Sequence, residues 1–263
     1  MFELPKKMLV MLCLGFSSGL PYIVLITTSS AWFKDVGVSL TLIGFFAWIT
    51  FPYTIKFLWA PLVDRFEIIA FKKFGHRKSW ILSTQLIILV SIFFLSLLNP
   101  QIDLKSFYIV ASIIAIAGSF QDIAIDAFRI EYAKINDQGN LAAAYQLGYR
   151  LAIITAASFG LIFADLYGWS LTFKLLSIAM LVGVLGSIFS EEVKNEKLDR
   201  LTFVNSIIEP LLDFFTRFKW YIASMLLLII ATYRLTDIVM GPMATPFYLE
   251  MGFSLTEIGS VVK

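Results

Sequence analysis

Apolar residues run along this chain in long blocks separated by short polar stretches. A helix that crosses a bilayer needs about 20 predominantly apolar residues. Seven blocks reach that length, at about 8–32, 40–63, 79–98, 105–129, 141–165, 168–190 and 220–247. An eighth begins near Ser254, and the given sequence stops at Lys263. No block reads as a strand. The pattern therefore predicts an all-α membrane protein.

The only long polar stretch is 191–219. Within it, Leu201, Val204, Ile208, Leu211, Phe215 and Phe218 recur at three- and four-residue steps. That spacing predicts an amphipathic helix lying at the membrane interface, with Pro210 as a point where it can kink. It reads either as a linker between two halves or as an ordinary surface helix.

One internal repeat organises the rest. "GVSLTLIG" (37–44) returns as "GFSLTEIG" (252–259), identical at six of eight positions. Six spans separate the copies. An even number leaves both in the same orientation, so the repeat is parallel, as in the two halves of a major facilitator fold. On this reading residues 1–190 form an N-terminal six-helix transmembrane half and 191–219 a cytoplasmic amphipathic linker. Residues 220–263 form an incomplete C-terminal half, with helix 7 and the start of helix 8.

Composition supports a membrane protein: 59% of residues are hydrophobic and 15% charged, against about 25% charged in soluble domains. The net charge of +2 says little; its placement says more. Lys6 and Lys7, the 65–78 loop, Lys134 and the 194–219 segment carry most cations near spans, and the alternate loops hold only Lys34 and Lys105. The positive-inside rule then places the N-terminus in the cytoplasm. The apolar stretch running to Phe33 is too long for a signal-peptide core. One cysteine, Cys13, excludes an internal disulfide and a cysteine-built metal site. No cofactor, metal or nucleic acid is called for.

Gly15-Phe16-Ser17-Ser18-Gly19 fits the G-x-S-x-G letters of a hydrolase nucleophile elbow. Its context fails: nothing reads as a strand, and the one histidine, His76, sits in a cytoplasmic loop far from Ser17. The same residues suit close helix packing, and Pro21 can break the backbone ladder where the helix lines a cavity. Ser17, Ser18 and Tyr22 then become candidate solute contacts.

Ionisable groups inside a bilayer cost about 2.5–3.5 kcal/mol each on insertion scales, so they face an interior and pair. Here they are Lys56, Asp122, Asp126, Arg150, Lys174, Arg234 and Asp237. Counting from the cytoplasmic ends at 1.5 Å per residue puts Lys56, Asp122 and Arg150 in one layer, roughly 12–13 Å deep. This layer reads either as charge pairing that holds helices in register or as a solute-anion site with a proton relay. Asp122, Asp126 and Asp237 are the candidate proton carriers. Lys56, Arg150 and Arg234 are the candidate partners of substrate anions. Gln121, Tyr149, Ser17, Ser18 and Tyr22 complete the candidate cavity lining, which suits a small polar or amphoteric solute.

The loop "APLVDRF" followed by "GHRKSW" resembles the major facilitator loop G-x-L-a-D-R-x-G-R-R/K, with Ala60 in place of the first glycine and an inserted segment. "LGFSSGLPY" (14–22), "PYTIKFLWAPLVDRF" (52–66) and "QDIAIDAFRIEYA" (121–133) resemble the AmpG muropeptide permease family. The related acetyl-coenzyme A transporter family shares the K-x-L-W-A-P-x-x-D and R-K-S-W patterns. The resemblance runs through essentially the whole chain. It implies proton-driven import of anhydro-muropeptides across a bacterial inner membrane, with an acetyl-coenzyme A-type transporter as the second alternative. It also implies a cytoplasmic gate built from Asp64, Arg65, Gly75, Arg77 and Lys78, closing against Glu131. A family member continues through five more helices. The expectation is therefore a secondary active transporter in a chain that looks shortened, the alternative being a non-transporting remnant or the N-terminal piece of a split transporter completed by a separate C-terminal chain.

Overall fold

The computed structural model describes residues 3–191, 209 and 212–261. Every described apolar block is helical, and no strand occurs among the described residues. Among the described residues, six helices are long and apolar enough to cross a membrane: α1 (Leu4–Asp35), α2 (Leu40–Leu58), α3 (His76–Leu95), α4 (Leu104–Tyr132), α5 (Ile135–Tyr167) and α6 (Trp169–Phe189). They are followed by α7 (Trp220–Glu250) and the short α8 (Leu255–Val261). Most of the amphipathic stretch expected over 191–219 lies outside the described residues; 212–217 within it are helical.

The block read as one helix over 40–63 is divided. α2 is irregular from Trp48, with 3-10 turns at Trp48–Thr50 and Lys56–Leu58. A separate short helix, Ala60–Arg65, follows. Pro52 and Pro61 supply the reason, since each lacks the N–H that would continue the ladder and sits at the first or second position of a new helical turn.

Glycines set the tightest helix pair. A Cβ on Gly15 would overlap the Tyr145 carbonyl, and one on Gly148 would overlap the Leu12 carbonyl. Gly19 abuts the ring of Tyr149. α1 and α5 thus touch backbone to backbone, as small residues permit in lipid. Both helices widen into π-helix further out, at Val24–Thr28 and Ile154–Phe159. Pro21 precedes the first of these. The loosened carbonyls find hydroxyl partners: Ser29 Oγ donates to the Val24 oxygen (2.8 Å) and Thr28 Oγ1 to the Ala156 oxygen on α5 (2.9 Å).

Beyond the π-turns, the end of the bundle away from His76 closes over an aromatic core. Phe33, Phe46, Phe107 and Phe173 are fully buried, and Trp32 stacks on Trp169 at 5.8 Å between ring centres. Trp169 Nε1 donates to Asp35 (2.7 Å). A second core, at the other end, gathers Met11, Leu14, Val63, Ile81, Ile125 and Phe128.

The repeated octets have the same backbone. Gly37 and Gly252 both adopt positive φ, +82° and +92°, a region glycine enters without steric cost. In each, the glycine N–H bonds three residues back and the next N–H five residues back: Gly37 to Lys34 and Val38 to Phe33, Gly252 to Leu249 and Phe253 to Tyr248. That pair of bonds is a Schellman helix stop. Ser39 and Ser254 then cap the next helix, Ser254 in a reciprocal box with Glu257. The six shared letters encode a stop and a restart.

Gly148→Ala should destabilise the fold by about 1–3 kcal/mol, the usual cost of overpacking, and lower its melting temperature in detergent. Gly139→Ala, which meets nothing within 4 Å, should leave that temperature unchanged or higher.

Candidate functional site

α4 carries Gly118, Asp122 and Asp126 at four-residue steps, so they share one face. Tyr53 and Lys56, three apart on α2, meet that face. Lys56 Nζ lies 3.5 Å from Asp122 Oδ2 and 3.6 Å from Asp126 Oδ2. The Asp122 side chain is 15% exposed and that of Asp126 46%. Lys56 therefore bridges an enclosed carboxylate and an open one.

The other Asp122 oxygen accepts from Ser18 Oγ on α1. With its proton so committed, Ser18 accepts from Tyr145 Oη on α5 at 2.8 Å. The result is a relay, Tyr145 to Ser18 to Asp122, made possible by the glycine contacts that hold α1 against α5. Tyr22 meets Tyr53 edge-on, 5.2 Å between ring centres. Tyr149 lies beside Gly19. Four helices thus place a lysine, two aspartates, a serine and four tyrosines in one cluster.

Ser17 and Gln121 do not line it, which corrects their expected role as solute contacts. Both are fully buried. Ser17 Oγ donates to the Leu14 carbonyl and accepts from Gln85 Nε2 (3.1 Å) and Gln121 Nε2 (3.2 Å). Ser187 on α6 donates to Gln85 Oε1 (2.9 Å). Gly183 presses on the Ser17 side chain so closely that a Cβ there would overlap it. Successive helix residues point about 100° apart, so Ser18 faces Asp122 while Ser17 faces α3, α4 and α6. Ser17 is a polar packing node. The hydrolase geometry is also lacking, since His76 Nε2 lies 2.7 Å from the Val63 carbonyl at the other core.

Arg150 shares the depth of this layer but not its face. It is exposed and forms no ion pair with a described residue. Gly148 and Tyr145 turn toward α1, and a position two residues beyond Gly148 points away from it. Lys174 is half-buried in α6. Arg234 and Asp237 belong to α7, and their side chains lie outside the described residues.

At the end of the bundle that carries His76, Arg77 joins two carboxylates. Its Nη1 is 2.5 Å from Asp64 Oδ1, and its Nη2 2.8 Å from Glu131 Oε1. Asp64 ends the short helix after α2, Arg77 opens α3 and Glu131 closes α4, so one guanidinium ties three elements. Gly75, at φ +93°, turns the chain into α3. Arg65 is half-buried beside Asp64. Lys78 is corrected: it is buried, and its Nζ donates to the Ser190 carbonyl (2.7 Å), capping the end of α6 where carbonyls lack helical partners. Nearby, Lys6 lies 2.8 Å from Glu191 and holds that carboxyl below its usual range.

Two site residues and one residue of the packing network escaped the sequence reading. Tyr53 and Tyr145 were signalled only by spacing, three residues from Lys56 and four from Tyr149. Gln85 had no signal beyond being an amide in an apolar span.

Residues 8–262 match the family model described as Major Facilitator Superfamily. The chain belongs to that superfamily. It is a multi-pass membrane protein of a transporter family rather than an enzyme family. Over 257 residues it is 31% identical to "Putative transporter AmpG 4" of Rickettsia conorii, covering 95% of this chain and 61% of that protein. It is 32% identical over 264 residues to the "Anhydromuropeptide permease" of Escherichia coli K12, covering 100% and 52%. An uncharacterized Haemophilus influenzae protein is 34% identical over 263 residues, covering 98% and 60%. The chain thus spans between about half and three fifths of these relatives' lengths.

Ser17→Ala should leave the Gln85 and Gln121 amides without their shared acceptor. The expected cost is about 1–3 kcal/mol, read as a lower melting temperature, with no serine-reactive probe labelling either protein.

Proposed function

We propose that this chain serves proton-coupled import of anhydro-muropeptides across a bacterial inner membrane, with its N-terminus in the cytoplasm. The observation that carries the reading is Lys56 shared between Asp122 and Asp126 inside an apolar bundle. An ammonium with two alternative carboxylates can release one when that one is protonated. Asp122 is the proton carrier, since its enclosure makes its charge depend on Lys56 and Ser18. Asp126 is the acceptor to which Lys56 moves. The name of the Escherichia coli relative supplies the substrate class, and the AmpG names favour it over acetyl-coenzyme A.

Tyr22 and Tyr149 offer ring faces to the sugars; Arg150, exposed and turned away from the cluster, takes no part in it. Asp237 and Arg234 on α7 are the corresponding candidates from the second half. The 1–190 and 220–263 segments are read as halves that rock against each other, joined by 191–219. Asp64, Arg77 and Glu131 form the gate at the cytoplasmic end, with Arg65 and Gly75 shaping its loop.

Uptake tests this. Cells lacking their own permease and making this chain should accumulate radiolabelled N-acetylglucosaminyl-anhydromuramyl-tripeptide, and an uncoupler should abolish accumulation. Asp122→Asn should abolish the uncoupler-sensitive part of accumulation, as expected when a required proton carrier is lost. Accumulation that persists at full level in Asp122→Asn would refute the assignment.

A further inference from the structure

Tyr53 Oη is buried and has no hydrogen-bond partner among the described residues. It sits in the notch left by Gly118, where a Cβ would collide with the hydroxyl oxygen. A buried hydroxyl without a partner costs stability, and each such group calls for an explanation. Phenylalanine would fill the ring position without that cost.

The next position on the same face of α4 is Asp122, four residues and about 6 Å along the helix. Lys56, one turn beyond Tyr53 on α2, spans Asp122 and Asp126. The two faces are therefore in matching register: Tyr53 over Gly118, then Lys56 over the two aspartates. α2 is also the irregular helix, changing from 3-10 to α and back between Trp48 and Leu58. Such a segment has no uniform ladder to fix its axial position.

We propose that Tyr53 is a positioning residue with two seats on α4: Gly118 when Lys56 holds Asp122, and Asp122 when Lys56 moves to Asp126. The proposal rests on the reading of Asp122 as the proton carrier and says how that carboxyl gives up its proton once Lys56 has left. A movement of α2 by one turn along α4 brings Tyr53 Oη to Asp122, where the hydroxyl donates to the carboxyl oxygen and holds the carboxylate that forms as the proton leaves. The groups facing Asp122 are Ser18 from α1, Tyr53 and Lys56 from α2, Asp126 from α4, and Tyr145 from α5, with Tyr22 and Tyr149 close by. Tyr53 is the one among them with an uncommitted buried hydroxyl.

The test is Tyr53→Phe in the full chain, reconstituted in liposomes and treated with dicyclohexylcarbodiimide, which reacts with protonated carboxyls. Mass spectrometry reads modification of Asp122 between pH 5 and 8. A donor to a carboxylate favours the charged form, so its loss should move the labelling midpoint to higher pH by about half a unit or more. The melting temperature should be equal to or above that of the native protein. Tyr22→Phe, which leaves the Tyr53 hydroxyl in place, should label as the native protein does. An unchanged midpoint in Tyr53→Phe would overturn the proposal, as would a loss of melting temperature, which marks a packing role. No label on Asp122 at any pH in either protein would mean that the carboxyl never leaves Lys56, and would overturn it too. If native Asp122 is labelled equally at every pH, the proton-carrier reading fails, while a difference in rate between the two proteins still reports the Tyr53 contact.

Discussion

Lys56 is an ammonium on a membrane-spanning helix, and the rest of the site follows from what that charge requires. A lone cation at this depth is unfavourable by several kcal/mol, so it must meet carboxylates. It meets two, one turn apart on α4. The inner of these, Asp122, is enclosed enough to need donors of its own. Ser18 gives one, and Tyr145 completes the serine's bonding. Those two residues come from different helices, and they reach each other only because Gly15, Gly19 and Gly148 let α1 and α5 touch. The charge, the relay and the glycine contact form one dependency.

A second polar layer has the opposite character. Ser17, Gln85, Gln121 and Ser187 are neutral and buried. They fasten α1, α3, α4 and α6 without offering a group that changes charge. Adjacent serines on α1 thus divide the work, one turned to the titratable cluster and one to the fixed scaffold. At the end away from His76 α7 and α8 join the scaffold: Lys34 pairs with Glu250 at 3.7 Å, and Asp165 accepts from the Thr256 N–H at 3.1 Å.

Much of this was legible in the sequence. Apolar length alone marked the first six spans, because lipid leaves helices as the only open-chain solution; the seventh block is helical, with only Trp220–Ile230 of it uniformly apolar. The repeated octet marked a shared backbone, because a left-handed glycine followed by a capping serine has a narrow geometry. Height along the helices was legible as well: it put Lys56 level with Asp122, and the two lie 3.5 Å apart. What depth does not carry is direction around a helix. Arg150 lies at the right height and points elsewhere, and Ser17 lies one residue from the right face. Direction depends on which residues approach the neighbouring helix, and Gly148 sets it through contacts with Leu12 and Phe16 that no local pattern records. Lys78 belongs to a basic run in the sequence, yet the end of α6, 112 residues away, claims it.

The central claim is that Asp122 carries the proton that drives solute entry. The direct measurement is the lumenal pH of liposomes containing the protein, reported by a trapped dye, after N-acetylglucosaminyl-anhydromuramic acid is added outside. The account predicts lumenal acidification with the native protein and none with Asp122→Asn, although the sugar still equilibrates across the membrane in the variant. Equal acidification by the variant, or sugar entry through the native protein with no proton movement, would contradict it.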